Sequence, residues 1–161
     1  MVVISFLLFF GILFIPSPLL AQAHPGYVEF NLSAKDEANI HFARERYKES
    51  IGKFKEVLTS EGETSTTFRV MLKAWKAIEG LNDAEQFLQN YQASNKDSTH
   101  IWYAFGYLNY LKADYEKAEK SFEESLKMNP KNGLALNNLG AILSEKKQYA
   151  LAIEKVKSAI Q

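Results

Sequence analysis

The amino-acid sequence predicts an all-α chain built from a repeated helical unit. Three observations carry that expectation. From residue 26 onward Pro130 is the only proline, apolar residues recur at intervals of three and four rather than alternating, and the chain matches itself at a spacing of 34 residues. Three-four spacing collects apolar side chains on one face of a helix, and proline is the residue a helix interior tolerates least. The totals narrow function further. With 19 Lys plus Arg against 19 Asp plus Glu among 161 residues, the chain lacks the cation excess that a nucleic-acid binder uses to displace counterions from phosphates. It has no Cys, which excludes a disulfide framework, a thiolate metal site and a Cys nucleophile.

Residues 1–23 contain no Asp, Glu, Lys or Arg, and 17 of the 23 are apolar. The run from 2 to 15 is interrupted only by Ser5 and Gly11, and Pro16-Ser17-Pro18 and Ala21-Gln22-Ala23 follow it. An apolar core, a proline break and small residues in an A-x-A arrangement read as a signal peptide cleaved before His24. The expected destination is the periplasm or the exterior. No cation besides the amino terminus precedes the core, so an uncleaved membrane anchor over residues 1–20 is the alternative. Residues 24–30, with Pro25-Gly26, form a short connector. The remaining charge lies downstream: 38 ionic residues among the 138 from His24 onward, an ordinary globular proportion.

The repeat occupies residues 31–161. Trp102, Phe105, Gly106, Tyr115, Ala118 and Phe122 are followed 34 residues later by Leu136, Leu139, Gly140, Tyr149, Ala152 and Val156. Extended without insertion, the frame aligns Tyr47, Leu81, Tyr115 and Tyr149, then Ser50, Ala84, Ala118 and Ala152, then Phe54, Leu88, Phe122 and Val156. With Pro130 closing a unit, these columns resemble the tetratricopeptide repeat. The resemblance covers 131 of 161 residues as repeats 31–64, 65–98, 99–132 and 133–161. It implies a right-handed α-solenoid of four stacked helix-turn-helix units, each too small to bury its own apolar face.

Helices are expected near 33–46, 48–59, 65–79, 82–93, 99–112, 115–128, 133–146 and 149–160. Gly106 and Gly140 let the first helix of a pair approach the second, and Ala84, Ala118 and Ala152 keep the second close. Pro130 stops the helix that carries Phe122 and Leu126. Leu72 occupies the Gly106 column, where a large side chain should hold the second pair apart. Glu37 and His41 fall where apolar packing is expected.

In the resembled family the first helix of each pair lines a concave groove that holds a segment of a partner protein. In this frame the groove receives Lys35, Asn39 and Phe42, then Arg69, Lys73 and Lys76, then Tyr103, Tyr107 and Tyr110, then Asn137, Ala141 and Ser144. Of these, Lys35, Asn39, Arg69, Lys73, Lys76, Tyr103, Tyr107, Tyr110 and Asn137 are the candidate partner-binding residues. The cations suit an acidic peptide, and tyrosines suit its apolar or aromatic side chains. The same tyrosines could instead pack between helices. A grip on a terminal carboxylate, as in chaperone cofactors of the family, is not expected, because Val70, His100 and Ala104 stand where its later members belong.

No catalytic or metal-binding motif occurs, and His24, His41 and His100 are far apart along the repeat. The expectation is a noncatalytic, cofactor-free interaction module or scaffold of the cell envelope. Its alternatives are an accessory domain or subunit of an envelope enzyme complex, or a membrane-anchored scaffold of the same family. The last helix keeps Ile153, Val156 and Ile160 on an apolar stripe with no capping helix behind it, so a homodimer through that face is also in view.

Overall fold

The computed structural model describes residues 32–96 and 98–160. The expected signal peptide or anchor (1–23) and the expected connector (24–30) lie outside the described residues. Among the described residues there are eight helices and no strand, which makes this region an all-α helical-repeat solenoid. The helices are α1 (Ala34–Ala43), α2 (Tyr47–Ser60), α3 (Ser65–Ala77), α4 (Leu81–Ser94), α5 (Thr99–Leu111), α6 (Tyr115–Met128), α7 (Gly133–Glu145) and α8 (Tyr149–Ala159). None of them is long and apolar enough to cross a membrane.

Local chemistry sets each boundary. The first helix of every pair is capped by a Ser, Thr or Asn side chain. Ser33, Thr64, Ser98 and Asn132 accept hydrogen bonds from the backbone N–H groups of Asp36, Thr67, Ile101 and Ala135. Within each pair the turn is one repeated device. The N–H groups of Arg46, Gly80, Asp114 and Gln148 donate to the carbonyls of His41, Trp75, Asn109 and Leu143, at 2.8 to 2.9 Å. That closure needs a left-handed residue, and Glu45, Glu79, Ala113 and Lys147 supply it with φ of 58 to 61°. None of the four is a glycine, so the turn is invisible to a search for Gly at helix ends.

The size of one side chain per repeat sets how closely each pair packs. That column reads Ala38, Leu72, Gly106 and Gly140. At Gly106 an added Cβ would stand 2.5 Å from the Phe122 ring, and at Gly140 it would stand 2.6 Å from Val156. Small Ala38 lets α1 meet α2, where Ser50 Oγ donates to the Ala38 carbonyl at 2.9 Å. Leu72 is buried and holds α3 and α4 apart, as its volume requires, and this pair makes far fewer close backbone approaches than the other three. Aromatics fill the extra width. Trp75 and Phe87 lie 5.3 Å apart, Phe87 and Tyr91 6.0 Å, and the Lys55 ammonium caps both Trp75 and Phe87.

At the positions expected to be apolar, Glu37 instead pairs with Lys53 at 2.8 Å, and His41 is half-buried with Nδ1 unpartnered. The second helix of one pair meets the first helix of the next. Phe54, Leu88 and Phe122 fill this stacked core and are almost wholly buried, whereas Val156, in the same column on α8, is 40% exposed. Helices α1, α3, α5 and α7 are neighbours in succession and form one continuous face. That face holds the groove columns.

Candidate interaction face

Four cations were expected on this face, and the structure leaves all four without an ionic partner. Lys53, Lys112, Lys117, Lys127 and Lys146 each pair with a carboxylate. Lys35, Arg69, Lys73 and Lys76 have none within 4.0 Å among the described residues. Lys73 and Lys76 project from α3 into solvent, one turn apart, and Lys35 is half-buried on α1 beside exposed Asn39. Arg69 differs from the lysines. It is half-buried on α3, its Nε is enclosed without an acceptor, and its positive charge reaches the hydroxyls of Tyr103 and Tyr107.

The tyrosines form a ladder along α5. Tyr103 and Tyr107 stack with ring centroids 6.1 Å apart and planes 7° from parallel, and Tyr107 and Tyr110 stack at 6.1 Å and 14°. Their exposure is graded. Tyr103 is wholly buried, with its ring 5.7 Å from Phe122 and its hydroxyl accepting from Asn138 Nδ2 at 3.3 Å. Tyr107 is 6% exposed, and only Tyr110 is open enough to be gripped. The expectation of three contact tyrosines is therefore corrected at Tyr103 and Tyr107, both buried. Tyr103 lies in the core between Phe122 on α6 and Asn138 on α7. Tyr103 and most of Tyr107 act as the rigid support beneath Tyr110.

Burial pushes the Tyr103 and Tyr107 hydroxyls above the ordinary phenol range, and the Arg69 charge opposes that rise at both; at Tyr103 the Asn138 bond opposes it as well. Asn137 is exposed on α7 and borders a hollow of roughly 370 Å³ with Gly140, Ala141 and Ser144.

Two features of the face had no counterpart in the sequence reading. At the start of α3, α5 and α7, Ser65 Oγ bonds His100 Nδ1 at 3.0 Å, and Asn132 Nδ2 donates to Ser65 and Ser125 at 3.1 Å each. The cap column of Thr64, Ser98 and Asn132 was the available signal, since Asn carries two N–H donors on an atom separate from the oxygen that makes the capping bond. The second feature is Glu63. One of its oxygens is buried without a donor, and the carboxylate sits beside the Tyr91 hydroxyl, which burial and that charge push up to about 12.

An exposed face of unpaired cations beside a stiff aromatic ladder can bind an anionic, partly apolar chain. Among the described residues no group of three His, Cys, Asp or Glu side chains converges to hold a metal ion. Residues 99–132 match a family model described as the tetratricopeptide repeat, and residues 121–154 match a second model with the same description. The two matches together span 56 of the 161 residues. Tetratricopeptide repeats generally mediate protein–protein interaction or scaffolding. A search of curated proteins finds none that matches this chain.

Proposed function

We propose that this chain is an exported, noncatalytic interaction module that holds an acidic segment of a partner protein across α1, α3, α5 and α7. One observation carries the reading: Lys35 on α1 and Arg69, Lys73 and Lys76 on α3 fall together on the face of the first helices, and none of them has a carboxylate within 4.0 Å among the described residues. Side chains left without counter-ions along one face offer charge to an incoming chain. Lys35, Arg69, Lys73 and Lys76 meet its carboxylates, Asn39 and Asn137 serve its backbone, and Tyr110 covers an apolar or aromatic side chain. Arg69 contributes most per residue, because its guanidinium is partly desolvated and a carboxylate meets it in a less screened setting than at the exposed lysines.

Export rests on the apolar leader and the Ala21-Gln22-Ala23 site, and a periplasmic or secreted role follows from it. The missing cation before the leader favours one alternative, a scaffold tethered by residues 1–20. Amino-terminal sequencing of the protein recovered from cells decides between them: His24 first supports export with cleavage, and Met1 retained supports the tether.

Short synthetic peptides graded in Asp and Glu content, each with one aromatic residue, test the face itself. The Arg69→Glu, Lys73→Glu double variant should bind the acidic peptides about tenfold or more weakly. Equal affinity for both proteins would sink the acidic-ligand reading.

A further inference from the structure

Of the four cations on the binding face, Arg69 alone has a nitrogen enclosed without a partner. Lys73 and Lys76 are exposed on α3, whereas Arg69 is half-buried with its Nε turned inward. No described residue accepts a hydrogen bond from its two Nη groups, and they are not enclosed, so they form the outward end of the side chain. Packing along the stem has already removed much of the freedom that an exposed Arg loses on binding. Two Nη groups in one plane match the two oxygens of a carboxylate, a geometry that an ammonium group does not offer.

The neighbouring helix places an aromatic ring at a set offset from that end. Ser65 bonds His100 and Asn138 bonds Tyr103, each pair 35 positions apart, so α3, α5 and α7 lie side by side in register to within one residue. Arg69 therefore stands level with Tyr103, and Lys76 with Tyr110. Tyr103 and Tyr107 are buried, which leaves half-buried Tyr110 as the first ring of the ladder that a ligand can reach. It follows Tyr103 by seven residues on α5, about 10 Å of helix rise. Stacking on Tyr107, itself stacked on Tyr103, holds the Tyr110 ring at that distance.

Granted the acidic segment proposed above, we propose that Arg69 and Tyr110 set its register: one carboxylate takes both Nη groups of Arg69, and one aromatic side chain lies on Tyr110. The ligand class is then a segment whose carboxylate and aromatic side chain stand at one fixed separation, rather than any chain of high negative charge. Extended chain advances about 3.3 Å per residue, so the offset along α5 and the sideways step between helices correspond to roughly three or four residues. The ammonium groups of Lys73 and Lys76, which are free to move, add attraction that follows net charge and salt rather than position.

Peptides of one composition, three Glu and one Trp in a Gly-Ser chain, test this when they differ only in the separation of Trp from the nearest Glu, from one to seven residues. Calorimetry with the protein recovered from cells should show one peak of affinity, at three or four residues, about tenfold above the ends of the series. Arg69→Lys keeps the charge and should flatten the peak. Tyr110→Ala, at the open end of the ladder, should flatten it by an independent route, with circular dichroism confirming the helices of both variants. Lys76→Gln should lower every affinity and leave the peak where it is. Equal affinity at every separation, or a peak that Arg69→Lys leaves intact, overturns the register and leaves the acidic-segment reading standing. No binding at any separation overturns both.

Discussion

Phe122 lies so close to Gly106 that a Cβ at that glycine would stand 2.5 Å from a ring carbon, and Phe122 is wholly buried with no room to give. The glycine is what allows α5 and α6 to pack at this distance. Gly106→Ala should lower stability by about 1–3 kcal/mol. Gly140→Ala should cost less, since its main obstacle, Val156, is partly exposed and can turn away. Thermal melts of the two variants check the order, and equal losses would contradict it.

Leu72 makes the converse case. The family pattern has a small residue there, yet restoring one should harm this chain, because α3 and α4 are spaced around Leu72, Trp75 and Phe87. Leu72→Gly should destabilise by about 3 kcal/mol or more, combining a core cavity with a glycine inside a helix. Urea midpoints measure it, and a gain in stability would show that the second pair can close.

The four turns with positive φ offer a stabilising change. Ala113 has a φ of 60° and an exposed side chain. Left-handed backbone costs an L-residue roughly 1–2 kcal/mol, and glycine escapes that cost while losing somewhat more chain entropy on folding. Ala113→Gly should therefore raise stability by about 0.5–1 kcal/mol. A lower unfolding midpoint would count against the strain.

Asn132 caps α7 and also ties it to Ser65 and Ser125 inside the structure. Asn132→Ala should cost about 2–3 kcal/mol, against about 1 kcal/mol for Ser33→Ala at the exposed cap of α1. Melting both variants tests whether the added bonds matter.

Alkali should unfold the protein through its tyrosines. Burial raises the phenol pKa of Tyr103 and Tyr107, and burial with Glu63 raises Tyr91 to about 12. A group whose folded pKa lies above its unfolded value of about 10 binds its proton more tightly in the native state. The stability it gives is complete below that pH and falls away as pH climbs toward the folded values. Phenolate absorbance should thus show the last tyrosines ionising together with loss of helix, and Tyr103→Phe should flatten the decline. Smooth titration with the helices intact would contradict the burial.

Much of this was legible in the sequence. Apolar spacing, the 34-residue period and Pro130 place each helix within three residues of where it lies, because those signals act locally and recur. Leu72 could be read as a wedge for the same reason. The turns could not be read, since Glu45, Glu79, Ala113 and Lys147 take a conformation usually left to glycine and are held there by backbone bonds. Tyr103 was misplaced because its column also holds Arg69 and Asn137, which reach the surface. Tyr103 alone of that column meets Phe122 within its own pair and Asn138 of the next, contacts that helix stacking creates. The Ser65–His100–Asn132 network joins residues 35 and 67 positions apart, a closeness that helix stacking creates and no local pattern encodes.

The central claim is that the face formed by α1, α3, α5 and α7 receives an acidic chain. Amide and side-chain chemical shifts of the protein, followed while a peptide rich in Asp and Glu with one aromatic residue is added, test it most directly. The account predicts changes at Lys35, Asn39, Arg69, Lys73, Lys76, Tyr110 and Asn137 that weaken as salt is raised. Changes confined to α2, α4, α6 or α8, or none at any peptide concentration, would contradict it.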